Sequence, residues 1–148
     1  MNIDKPSFAK SVVPVGASAK TDKEAEEAAY RAQTFITSYY RTFHRKAKGL
    51  VKFYLENARI SWNGIGLTRS TFETQIAEKM SGSTFTVLST DCHPLFAADA
   101  NRGIIVVING TISNKNKTKQ LFSQTFILAK ISEKSSEYFI QDDCFRYV

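Results

Sequence analysis

Hydrophobic positions along the chain follow two rhythms. From residue 25 to residue 43, Ala25, Ala28, Ala29, Ala32, Ile36, Tyr39, Tyr40 and Phe43 recur at i, i+3, i+4 and i+7, the mark of one apolar stripe on a helix. Thr21 or Asp22 stands where a cap is expected, and Glu24, Glu26 and Glu27 fill the first turn, where the helix dipole favours negative charge. Alanines early in the stripe predict close approach to a neighbour, and aromatic rings late in it predict a wedge into a core. A shorter second helix around Gly49 is expected to carry Leu50, Phe53 and Tyr54 and to stop near Asn57. A third, "TRSTFETQIAEKMSG", puts Phe72, Ile76 and Met80 on one face, with Gly82 beyond its end.

Beyond these the period drops to two. "RISWNGIGL" reads as a hairpin, with a strand through Ile60 and Trp62 and Asn63-Gly64 as the turn. "TFTVLSTDCHPLF", "GIIVVINGTIS", "QLFSQTFILAKIS" and "YFIQDDCFRYV" follow, separated by the polar stretches "AADANR", "NKNKTK" and "EKSSE". Short polar separators predict sequential antiparallel strands. The fold class is therefore α+β: three N-terminal helices packed on one face of a strongly bent antiparallel sheet. Residues 1–21 mix Pro, Ser, Gly, Ala and Lys without periodicity and predict a flexible N-terminal tail, leaving 22–148 as one domain.

Composition adds limits rather than identity. A chain with 43% hydrophobic residues can build a real core, yet its longest apolar run, "GIIVVI", is far too short to span a bilayer. No continuous apolar leader precedes the domain, so a cytosolic or nuclear protein without membrane contact is expected. Cys92 and Cys144 lack metal-site or redox spacing and are expected to stay thiols. The net charge of +6 is uneven: residues 1–60 hold 11 Lys/Arg against 6 Asp/Glu, and residues 61–148 hold 9 against 8. "RTFHRKAKGLVK" concentrates five bases with no acid, which suits contact with RNA or an acidic protein. A solvated helix end explains the same run, and that reading is preferred; the "NKNKTK" loop is treated alike.

Two stretches carry candidate chemistry. Asp91, Cys92 and His93 stand side by side, but successive strand residues point to opposite faces, so Cys92 turns away from both neighbours. That removes a thiol nucleophile activated by His93. No metal set converges, since His44 is the other histidine and belongs to a helix end. Asp91 and His93 share a face and would suit proton transfer, although a polar pair on a solvated sheet face is the ordinary outcome. In the terminal segment, alternation assigns Phe139, Gln141, Asp143, Phe145 and Tyr147 to one face and Ile140, Asp142, Cys144 and Arg146 to the other. An acid and an arginine among apolar neighbours fit either an internal ion pair or polar anchors of a protein interface. Trp62 is expected in the core or supporting the hairpin.

Together, "YYRTFHRKAKGLVKFYLENARISWNG", "DCHP", "FSQTFIL" and the closing "DCFRY" resemble the nuclear transport factor 2 superfamily, most of all its export-related branch. The resemblance covers about residues 25–148. It implies a cone-shaped α+β fold and dimerisation through the exposed sheet face. In that branch the partner is the related domain of a large mRNA export receptor, and the pair docks on phenylalanine-glycine repeats of the nuclear pore. By motif, the partner-binding residues fall on Asp91 and Arg146, with Asp143, Phe145 and Phe126 beside them. No catalytic residue, metal or cofactor is implied, RNA contact would be indirect, and residence would be nucleus, cytoplasm and nuclear pore. Two alternatives carry over. A Ran-GDP import carrier, a homodimer, is disfavoured by Asn63 in place of a glutamate and by the basic Asn114-Lys115-Asn116-Lys117 loop. A pocket enzyme of isomerase or dehydratase type would need Asp91 and His93, joined by Asp143, inside the cone.

Overall fold

The long apolar stripe does form one helix. In the computed structural model of the protein, which describes residues 19–95, 103–116, 118–132 and 134–148, helix α1 runs Ala19–Lys46. It begins before Thr21 and Asp22, so both lie within it rather than capping it. The expected tail lies outside the described residues as far as position 18, as do "AADANR" and the end of the preceding segment, Phe96. Ala28, Ala29, Ala32, Ile36, Tyr39, Tyr40 and Phe43 are all buried, and Phe35 joins them on the same stripe.

The second expected helix is instead a 3-10 turn, Ala47–Phe53, so the described residues form two α-helices, not three. Gly49 at its centre weakens the α conformation. Tyr54 adopts φ −103 and ψ 138 and opens strand β1, Tyr54–Trp62. Asn63 (φ 51) and Gly64 (φ 83) then make the tight turn that the Asn-Gly pair favours, leading into β2, Ile65–Leu67. Helix α2 spans residues 69–80 as an α turn Arg69–Phe72, a π turn Glu73–Ala77 and a last turn Glu78–Met80. Thr68 caps it by accepting from the Thr71 amide, while the Thr71 hydroxyl receives the Thr68 amide in return.

Strands β3 (Thr84–Leu95), β4 (Gly103–Ser113), β5 (Lys119–Lys130) and β6 (Tyr138–Tyr147) form the expected antiparallel meander. The six strands run in the order β2-β1-β6-β5-β4-β3. One pairing departs from the antiparallel expectation: β6 lies parallel to β1. Short loops determine only consecutive neighbours, whereas β1 and β6 are far apart in sequence and meet through long-range pairing.

The sheet curls around the helices, and Gly110 lets it do so. A Cβ at this position would sit 2.2 Å from the Thr86 carbonyl oxygen and 3.1 Å from the Phe122 ring. The adjacent irregularity in β3, between Val87 and Ser89, lies opposite. On the inner face the rings of Trp62 and Phe145 stack 3.8 Å apart, with Phe122 and Phe85 continuing the aromatic layer. Trp62 is thus a core residue that also supports the hairpin.

Candidate functional site

Strand alternation gives the sheet two chemically different faces. The inner face carries a closed polar network within the aromatic core. Tyr54 donates to Asp143 Oδ2 at 2.7 Å, and Gln124 Nε2 donates to Asp143 Oδ1 at 2.8 Å. Because the Tyr54 hydrogen is committed to the carboxylate, the 2.6 Å contact between the Tyr39 and Tyr54 hydroxyls has Tyr39 as donor. Tyr40 donates to Gln124 Oε1 at 2.8 Å and completes the set. Burial raises the Asp143 carboxyl to about 7, against the downward pull of these hydrogen bonds. Burial likewise raises the hydroxyls of Tyr39, Tyr40 and Tyr54 well above their usual range.

This constellation has the residue types of an acid-base site but not the access. Asp143 and Tyr54 are each 2% exposed, Gln124 is 1%, and Tyr39 and Tyr40 are 0%, with neighbouring rings filling the surrounding space. Sequence reasoning missed it. The available signal was three tyrosines on apolar positions, since a buried phenol needs a hydrogen-bond partner.

The outer face is open. Register places Asp91, Val107, Thr125, Cys144 and Ser61 in one row across five strands. The row on one side is His93, Ile105, Ile127, Asp142 and Arg59; on the other it is Ser89, Asn109, Ser123 and Arg146. Asp91, His93, Cys144 and Arg146 are exposed, while Ile105, Val107 and Ile127 are half-buried. Asp91 and Arg146 thus stand in adjacent rows on strands three apart, a lateral separation of roughly 14 Å at one strand spacing per step, with the half-buried aliphatic side chains in the rows of Asp91 and His93. The Arg146 guanidinium lies over the hairpin, within 3.4 Å of where a Gly64 Cβ would stand.

Strand β1 supplies a further outer pair that the sequence reading did not single out. Arg59 Nε meets Asp142 Oδ1 at 2.6 Å, while Asp142 Oδ2, shielded from solvent, has no hydrogen-bond partner. Both residues line a shallow groove of about 440 Å³ together with Ser61, Thr125, Ile127 and Cys144.

Of the five expected partner-binding residues, the structure brings only Asp91 and Arg146 to this surface. Phe126 packs on Tyr39 at 5.0 Å and Phe145 on Trp62, both completely buried, and Asp143 sits in the polar network. These three side chains face the inside of the sheet rather than the outer surface where a partner contact was expected. The face assigned to Phe139 and Ile140 is also reversed. Gln141 is the extra residue in β6, so Ile140 joins Asp143 and Phe145 inside. Asp91 and His93 are exposed on the outer face, whereas Cys92 is buried and its thiol pushed up to about 12, by burial first and by Asp91 second.

Among the described residues no helix is long and apolar enough to cross a membrane. The family model of the nuclear transport factor 2 (NTF2) domain matches residues 31–147. The chain is 28% identical over 125 residues to NTF2-related export protein 2 of Bos taurus, covering 82% of this chain and 88% of that one. It is 29% identical over 124 residues to NTF2-related export protein 1 of the same organism, covering 82% and 89%. The structure of nuclear transport factor 2 from Cryptosporidium parvum superposes with a TM-score of 0.66 at 20% identity, over 88% of this chain and 97% of that one, a likeness of fold. With the matched region running from within α1 through β6, this chain belongs to the nuclear transport factor 2 domain family.

Proposed function

We propose that the protein is a non-enzymatic subunit in nuclear export, pairing through its outer sheet face with a large mRNA export receptor. The observation that carries this reading is the asymmetry of the sheet. Both helices cover the inner face, and the outer face presents half-buried Ile105, Val107 and Ile127, with exposed Asp91 and His93 on the strand beside them and exposed Arg146 in the row beyond. An apolar centre with polar residues at its margin is the usual anatomy of a protein interface. Similarity to proteins named for export supports the choice of process.

In this mechanism burial of the central aliphatic side chains supplies most of the association energy. Asp91 meets a cation of the partner and Arg146 an acid, and the two together set register. Truncating either while its counterpart stays buried costs on the order of 2–5 kcal/mol of affinity. The assembled pair then engages phenylalanine-glycine repeats and moves between nucleus and cytoplasm through the pore. The closed Asp143 network supports the non-enzymatic part, because no substrate reaches a carboxyl 2% exposed without the core opening.

Co-expression with a large mRNA export receptor tests this directly. A 1:1 complex that survives gel filtration is expected, and Asp91→Arg abolishes it without changing the circular dichroism of the subunit. A chain that is a stable homodimer alone and ignores the receptor overturns the reading.

A further inference from the structure

The fold unites the two basic stretches that the sequence holds far apart, and neither is used by the outer-face interface. At the C-terminal end of α1, His44 Nδ1 lies 3.1 Å from the Ser83 carbonyl oxygen, fixing the last turn of that helix against the turn before β3. The β4–β5 connection reaches the same turn: the side chain of Lys115 lies 3.4 Å from where a Gly82 Cβ would stand. Lys79 precedes this turn at the end of α2, and Thr84 pairs with Ser113, which pairs with Lys119. Four elements therefore bring His44, Arg45, Lys79, Lys115 and Lys119 to one end of the fold, all of them exposed. Among the described residues the ion pair at this end is Lys48 with Glu78, at 4.0 Å, and it leaves Lys79 and Lys115 without an acid.

We infer that this end of the molecule is a binding site for the phosphodiester backbone of a nucleic acid. Protein interfaces are depleted of lysine, whereas lysine ammonium groups serve phosphates as compact point charges. A site of this composition reads charge and spacing rather than base sequence. The convergence comes from tertiary structure, which distinguishes it from a run of bases along one solvated helix.

Fluorescence anisotropy of the full chain with a 20-nucleotide single-stranded RNA tests the inference across a salt series. Binding that weakens with salt is expected, with a log–log slope of roughly −2 to −3 for three or four phosphates neutralised. The Lys79→Glu/Lys115→Glu variant is expected to raise Kd about tenfold or more, and the neutral Lys79→Gln/Lys115→Gln variant to flatten the slope by roughly 1.4. Lys130→Glu, at the opposite end of β5, leaves affinity and slope as in the wild type. Single-stranded DNA of the same length binds within about threefold of RNA, since phosphates alone are contacted. Absence of RNA binding by the wild type overturns the site, as does an equal loss from Lys130→Glu. Competition by poly-glutamate as effective as by RNA also overturns it, in favour of an acidic protein partner. Circular dichroism melting of each variant separates lost contacts from lost folding.

Discussion

Asp142 and Asp143 are consecutive carboxylates with opposite circumstances. Asp143 points inward, accepts two hydrogen bonds and is held up at about 7 by burial. Asp142 points outward, where it meets a guanidinium whose side chain is 78% exposed. The comparison extends to the faces they represent. The inner face is complete in itself, its rings stacked and its network hydrogen-bonded from Tyr39 to Tyr40. The outer face is unfinished, with an aliphatic centre and an unpartnered carboxylate oxygen. A substitution inside should therefore be felt by folding, and one outside by association.

The comparison breaks most sharply if inner residues prove tolerant. Phe145→Ala removes the ring stacked on Trp62 and is expected to cost about 3–5 kcal/mol, read from urea unfolding. Gly110→Ala forces a methyl against the Thr86 carbonyl and is expected to cost about 1–3 kcal/mol or more. Outer variants Asp91→Arg and Arg146→Glu should stay within about 0.5 kcal/mol of wild-type stability. The same outer variants should weaken receptor binding by 30-fold or more, at about 1.4 kcal/mol per factor of ten.

Asp143 sharpens the contrast through pH. Its carboxyl goes from 3.8 in the unfolded chain to about 7 in the fold, so the native state binds the extra proton between those values. The stabilisation is fully present below pH 3.8 and is lost as pH rises through 7, on the order of 4 kcal/mol across the window. Asp143→Asn should flatten this dependence in urea titrations from pH 5 to 8 and raise stability at pH 8 relative to the wild type. A wild-type profile that rises with pH over this range would contradict the buried acid. The smallest effect belongs to Arg59→Ala, whose solvent-exposed guanidinium should leave the urea midpoint unchanged while loosening partner binding.

What was legible in the sequence follows from the range of the forces involved. Local rules placed the Asn63-Gly64 turn, the stripe of α1 and the separation of Cys92 from Asp91 and His93, because each depends on residues a few positions apart. The parallel β1–β6 pair joins strands about 80 residues apart, such as Ile60 and Asp143, and no local pattern encodes it. The extra residue at Gln141 carries no proline or glycine signal, yet it turns Ile140 inward and reverses the early half of β6. Tyr54 could serve a helix or a strand by its spacing; its hydrogen bond to Asp143 belongs to the strand. Of the residues expected from motif resemblance to bind a partner, Asp91 and Arg146 lie exposed on the outer face, while Phe126, Phe145 and Asp143 are buried.

The two cysteines offer the most direct test that the outer face holds a partner. Cys144 lies exposed in the central row of that face, and Cys92 is buried with its thiol held at about 12. Alkylation with iodoacetamide, followed by peptide mass spectrometry, should label Cys144 and spare Cys92 in the isolated subunit. In the complex with an mRNA export receptor, Cys144 should become protected while the fold is unchanged. Labelling of Cys144 at the same rate in the free and the bound subunit would contradict pairing through the outer sheet face.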